Sequence, residues 1–130
     1  MFSLISLRRN AMTVNEIIDE LNALKSNQYS DADKIKWLSE LDMMIKHEFF
    51  DEYDIPCDFK GYDETSGNTE LLAPEPFKPM YVHWLEAKID YWNNEYARYN
   101  VSMEMYNAVY ANYETWFIAH HKKAKNRFRW

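Results

Sequence analysis

Few residues in this chain could carry chemistry, and their spacing argues against most of it. His47-Glu48 opens the helical zinc-hydrolase pattern, but the second His one turn further on is replaced by Asp51. His83, Glu86 and Asp90 stand on neighbouring turns of a predicted helix. Their His-x-x-Glu spacing occurs once, whereas a di-iron bundle needs Glu-x-x-His twice and two further Glu. They read as a solvated polar face, and no metal is expected. His120 and His121 are adjacent, so on a helix they point to different faces. The single cysteine, Cys57, follows Pro56 and has Asp54 and Asp58 beside it. Carboxylates raise a thiol's pKa, the wrong direction for a reactive thiolate. Ser66 lacks the Gly-x-Ser-x-Gly elbow, and the two glycines form no phosphate-cradling loop. The reading is of a protein that is not an enzyme and needs no cofactor.

Charge is distributed more informatively. Lys122, Lys123, Lys125, Arg127 and Arg129 fall in residues 120–130 with no acid among them, and Phe128 and Trp130 are interleaved. The whole chain has 15 basic against 21 acidic residues, a net charge of -6, so the part before this tail carries -11. Residues 31–75 alone hold 13 acidic and four basic side chains, a charge of -9. Such asymmetry signals a partner rather than a fold. The tail could track a phosphate backbone while its rings stack on bases. The favoured reading is a salt-bridged contact with an acidic neighbouring protein, another copy's 31–75 region included; a solubilising end is the third. The acidic remainder of the chain would repel a duplex laid across it.

The elements that must position these residues follow from periodicity. In 130 residues there is room for one domain with a core of its own, and one cysteine excludes a disulfide framework and suits a reducing compartment. Residues 1–11 place five apolar side chains ahead of Arg8 and Arg9, the reverse of a secretory signal. They read as a dispensable lead or as an arm that orders on a partner. No run approaches the roughly 18 apolar residues of a membrane span. Thr13 and Glu16 form a capping box, with Met12 and Ile17 placed as a hydrophobic staple, for a helix over 13–25. Ser30 and Asp33 cap a second helix over 31–53, with Ile35, Leu38, Leu41, Met44 or Ile45, and Phe49 at spacings of three and four. Its end, Asp51-Glu52-Tyr53-Asp54, opposes the helix dipole, so something else must hold it. Residues 54–75 carry both glycines and read as an acidic protruding loop or small hairpin with a job.

After Pro79, Leu85, Ile89, Trp92, Tyr96, Tyr99, Met103, Tyr106, Tyr110, Tyr113 and Phe117 alternate at spacings of four and three. The expectation is one long helix bent or briefly broken near Asn100-Val101-Ser102, in preference to a full hairpin. Ten Tyr, seven Phe and five Trp make 17% of the chain, and such residues concentrate at partner surfaces. Tyr81, Trp84, Tyr91 and Trp116 fall off the main stripe, so this element is apolar on more than one side. Trp84, Tyr91, Trp92, Tyr96, Tyr99, Tyr106, Tyr110, Tyr113 and Trp116 are therefore candidates for packing between subunits. The fold class is all-α: a small helical bundle at 12–119 with a long C-terminal element and an extended acidic loop, flanked by the 1–11 arm and the 120–130 tail.

The stretch Met12-Thr13-Val14-Asn15-Glu16-Ile17-Ile18, the helix at 31–53 and the block from Pro76-Phe77-Lys78-Pro79-Met80-Tyr81 to Tyr91-Trp92 resemble the small head–tail connector, or head-completion adaptor, proteins of tailed bacteriophages. So do Ala97-Arg98-Tyr99-Asn100 and Ser102-Met103, and the likeness spans 12–120. The resemblance implies a structural protein of the virion, assembled in the bacterial host cytoplasm, with about twelve copies in a ring. The ring would sit between the portal protein and an adjacent neck or tail protein, with DNA passing through without sequence-specific binding and no membrane contact. The matching terminal segment, with Lys122, Lys123, Lys125, Arg127, Phe128, Arg129 and Trp130, would dock on the portal. Asp58, Asp63, Glu64 and Glu70 would line the channel and let the genome slide. The element after 76 is longer and more aromatic than the resemblance requires. The alternative from another class is a nucleic-acid-binding accessory protein that uses the basic tail.

Overall fold

The computed structural model describes residues 11–127, with side chains to residue 121. The fold is all-α: α1 (Val14–Leu24), α2 (Asp31–Ile45), α3 (Lys78–Trp92) and α4 (Tyr96–Arg127). A π-helical turn (Lys46–Asp51) continues α2, and a 3₁₀ turn (Glu75–Phe77) leads into α3. Among the described residues there is no named strand, and the one bridge joins Thr13 to Glu70. The 1–11 arm is outside the described residues but for Ala11.

Both N-terminal caps form as their residue types dictate. Thr13 Oγ1 accepts from the Glu16 N–H at 3.2 Å, and Ser30 Oγ from the Asp33 N–H at 3.1 Å. Met12 and Ile17 are both buried. An eleven-residue helix is marginal alone, so α1 depends on burying Val14, Ile17, Ile18 and Leu21, each worth about 2 kcal/mol. Its remaining free N–H groups go to the long loop. Val14 N–H donates to Thr69 O at 3.1 Å and Asn15 N–H to Gly67 O at 2.9 Å, while Leu71 N–H returns to Met12 O at 2.7 Å. The loop therefore lies back on the bundle instead of protruding. At Gly67 a Cβ would stand 2.5 Å from the Asn15 side-chain amide, so any larger residue there would have to displace that side chain.

Helices α2 and α3 run antiparallel. Trp84 Nε1–H donates to Trp37 O at 2.8 Å, Lys88 Nζ lies 3.4 Å from Glu40 Oε2, and Tyr29 O–H donates to Asn93 Oδ1 at 2.7 Å. The reversal after α3 comes at Asn93-Asn94-Glu95, not near Asn100. Helix α4 is continuous through Asn100-Val101-Ser102, and α3 and α4 make a full hairpin. The reason is local. Asn94 adopts a left-handed conformation (φ 59°) that asparagine tolerates without glycine. Glu95 N–H then donates to Asp90 O at 2.9 Å and Asn94 N–H to Tyr91 O at 3.0 Å, the double bond of a Schellman end.

The acidic end of α2 closes in the same way. Asp54 is left-handed (φ 56°), Ile55 N–H donates to Phe50 O at 2.8 Å, and Asp54 N–H donates to Asp51 O at 3.2 Å. Partial burial of Phe50 and Ile55 against the core adds the apolar contact typical of such ends. Lys46 and His47 both reach Asp51, at 3.5 and 3.1 Å. These contacts offset the unfavourable dipole. Replacing Asp54 with glycine removes both a misplaced charge and left-handed strain. Asp54→Gly is expected to raise the unfolding free energy by about 1 kcal/mol, read as an upward shift in the urea midpoint at unchanged slope.

Candidate functional site

The polar groups that converge most closely do so inside the protein. Asp42 lies on the inward face of α2, between Leu38 and Ile45, and is fully buried. Its Oδ1 accepts from Tyr81 O–H at 2.7 Å, and its Oδ2 accepts from Leu72 N–H at 3.1 Å and from Tyr62 O–H. Tyr81 Oη in turn accepts from Ala73 N–H at 2.9 Å. Burial pushes the Asp42 carboxyl up to about 6, against the three donors that pull it down, Tyr62 foremost. Burial, and then the Asp42 charge, push both tyrosine hydroxyls above their ordinary value, so they remain donors. Asp42 lines none of the three surface grooves described below. A carboxylate closed off from solvent and fully engaged with donors organises structure; it is not placed to reach a substrate.

Other charged groups are likewise committed to the fold. Asp90 is buried, with Lys25 Nζ 2.7 Å from Oδ1 and Ser102 O–H donating to Oδ2 at 2.9 Å. The expectation that His83, Glu86 and Asp90 share a solvated face is therefore wrong for Asp90, which ties α1, α3 and α4 together. His83 Nδ1 and Glu86 Oε1 are 2.8 Å apart and line a groove of about 410 Å³ with Lys25, Asp90 and Arg98. Lys34 is buried too, donating to Asn22 Oδ1 at 2.8 Å and Tyr29 O at 2.9 Å, and burial pulls its pKa down. Cys57 is a half-buried free thiol. Among the described residues no three His, Cys, Asp or Glu side chains gather as metal ligands, and no helix is long and apolar enough to cross a membrane.

The hairpin sorts the aromatic residues into two populations. Tyr106 and Tyr113 are buried, with Trp84 and Tyr106 rings 5.1 Å apart and Phe77 and Tyr113 5.1 Å apart. Phe49 packs on Tyr113 and Phe117, each at 5.2 Å. As candidates for packing between subunits, Tyr106 and Tyr113 are corrected: they fill this chain's own core, because the heptad seam faces α3 and the end of α2. Tyr110 and Trp116 are half-buried along the same seam, and Tyr110 O–H donates to Glu48. At the closed end of the hairpin the rings turn outward. Tyr91, Trp92 and Tyr96 are 47%, 58% and 56% exposed. Beside them Trp84, Lys88, Tyr91, Trp92, Tyr99 and Met103 line a groove of about 330 Å³, with Lys88 Nζ 4.7 Å from the Trp84 ring centre. Monomers rarely gather several exposed large rings without a use for them.

Asp58, Asp63, Glu64 and Glu70 are all exposed on the loop. Thr65, through its hydroxyl and its N–H, holds the Asp63 carboxyl below its usual value. Beside it Ile35, Lys36, Ser39, Tyr62, Asp63 and Glu64 border an open groove of about 510 Å³ between α2 and the loop. The tail residues Phe128, Arg129 and Trp130, and the side chains of Lys122, Lys123, Lys125 and Arg127, lie outside the described residues. The fold and these surfaces define an all-α helical-hairpin protein with an aromatic end. The chain matches no family model, no curated protein and no solved structure.

Asp42 sets a pH dependence whose sign follows from its buried position. The native carboxyl titrates at about 6 against an ordinary 3.8, so the folded state binds the proton more tightly. Its contribution to stability is fully present below the unfolded value and is lost as pH rises through the native one. The wild type is expected to lose about 2 kcal/mol relative to Asp42→Asn on this account between about pH 4 and pH 7, checked by urea melts of both proteins across that range.

Proposed function

We propose that this chain is a non-enzymatic assembly protein of the tailed-phage neck. About twelve copies form a ring between the portal and the adjacent neck or tail protein, around the channel through which DNA passes. It belongs, on this reading, to the virion and assembles in the bacterial host cytoplasm. The observation that carries the reading is the cluster of outward Tyr91, Trp92 and Tyr96 beside an aromatic groove, at the closed end of the α3–α4 hairpin. Large rigid rings bury much area for little side-chain entropy and serve as anchors at protein contacts. The exposed carboxylates Asp58, Asp63, Glu64 and Glu70 support the channel role, since a negative wall repels phosphates and leaves DNA free to slide.

The test is the mass of the purified full chain by light scattering across concentration, with imaging of the largest species. Concentration-dependent assembly into rings is expected. Trp92→Ser combined with Tyr96→Ser is expected to abolish assembly while leaving the melting temperature within a few degrees, since both rings are exposed. Rings of unchanged mass in that variant would remove the aromatic end from the contact.

A further inference from the structure

A surface that pairs only with its own likeness stops at a dimer, so the aromatic end cannot build a ring by meeting a second aromatic end. A closed ring needs a different surface on the same chain to receive it. We propose that this acceptor is the groove bordered by His83, Glu86, Arg98, Val101 and Met105, and that it takes Trp92 of a second copy, with Tyr91 and Tyr96 against its rim. The inference rests on the self-assembly proposed above and names the surface that receives the aromatic end.

Placement comes first. Two grooves open at the same level of the α3–α4 hairpin. Trp84 and Lys88 with Tyr99 and Met103 border the aromatic one, and His83 and Glu86 with Arg98 and Met105 border the other. Each uses both helices and they share no residue, so they flank the seam on opposite sides. At about 100° per residue around α4, Tyr96 projects about 140° away from Val101 and about 180° away from Met105. A subunit can therefore engage one neighbour through each side at once, which is what a repeated heterologous contact requires.

Uncovered apolar surface singles out the same groove. Ala97, Val101 and Met105 follow one another four residues apart, so they form a single row along α4. Val101 and Met105 are 56% and 48% exposed. Besides these and the three outward rings, the exposed large apolar residues among those described are Leu24 and Ile118, and neither borders any of the three grooves.

The chemistry of the two sides also matches. A Met thioether and an Arg guanidinium are both favourable neighbours for aromatic rings. Arg98 is exposed at the groove, steadied by Glu95 at 3.2 Å. The charged groups beneath are already paired, Lys25 with Asp90 at 2.7 Å and His83 with Glu86 at 2.8 Å. An indole laid over them strands no charge, which is the costly outcome when such a floor is covered. The incoming rings are set before contact. Tyr96 O–H donates to Asn94 Oδ1 at 2.9 Å, and Tyr91 stands edge-on to Trp92 with ring centres 5.4 Å apart. Rings fixed in this way lose little side-chain freedom on docking.

The test is the assembled mass of the full chain by light scattering, with substitutions on each face. Val101→Glu combined with Met105→Glu is expected to raise the concentration of half-assembly by about tenfold or more. Its melting temperature should stay within a few degrees, since both positions are exposed and glutamate is a good helix former. That variant keeps its rings, while Trp92→Ser with Tyr96→Ser keeps its acceptor. Mixed in equal amounts at a concentration where each alone is monomeric, the two are expected to form a heterodimer and nothing larger. Assembly of the Val101→Glu, Met105→Glu chain as readily as the wild type would overturn the acceptor and leave the aromatic end in contact with some other surface. A mixture that gives no heterodimer would overturn it as well. A wild type that stays monomeric at every concentration would overturn the inference together with the reading it rests on.

Discussion

The carboxylate of Asp42 is the point from which the rest of the arrangement follows. It accepts directly from the loop at Tyr62 and Leu72 and from α3 at Tyr81, and through Tyr81 it also holds Ala73. A connection this long, residues 52–74, would ordinarily wander, because loop closure leaves its interior unconstrained. Here two separate points of it are tied to the middle of one helix. The segment between them is thereby laid across the start of α1, where its carbonyls meet the first free N–H groups. A buried charge is a poor source of net stability, since desolvation opposes what the donors provide. What it contributes is specificity: only one placement of the loop satisfies it.

Around that hub the aromatic side chains divide by position along the hairpin. Where α4 passes α3 and the end of α2, Phe49 and Phe77 meet Tyr113 edge to face, the geometry that aromatic quadrupoles favour, and Phe117 packs tilted on Phe49. Where the hairpin closes, Tyr91, Trp92 and Tyr96 stay in solvent. The same heptad thus serves as core on both arms, at Leu85 and Ile89 and again at Tyr106, Tyr113 and Phe117, and as surface at Trp92 and Tyr96 where the hairpin closes. The charges add a second polarity along the same axis, acidic along α2 and the loop and basic beyond the last core contact of α4.

Several of the polar groups that matter most were visible as exceptions to the pattern. Asp42 interrupts the apolar face of α2 one residue after Leu41 and three before Ile45, where a carboxylate needs a partner from elsewhere. Asp90 follows the buried Ile89 in the same manner. Their partners, Tyr62, Tyr81, Lys25 and Ser102, lie 12 to 65 residues away in sequence, and no local rule pairs groups at that distance.

Local chemistry by itself determined the helix starts at Thr13 and Ser30, the all-α class and the inward residues of α1 and α2, because caps and periodicity act within one or two turns. It also left an accurate question at Asp51-Glu52-Tyr53-Asp54, answered by a left-handed Asp54 together with Lys46 and His47 against Asp51. The tertiary structure alone decided where the long C-terminal element reverses. The heptad runs unbroken through Asn93-Asn94-Glu95, since a pattern of apolar spacing does not record chain direction. Asparagine's tolerance of the left-handed region turns the chain there, and the burial of α3 against α4 makes that turn the favoured one. Which rings became core and which became surface followed from the same choice, because exposure depends on what lies opposite a side chain and not on its type.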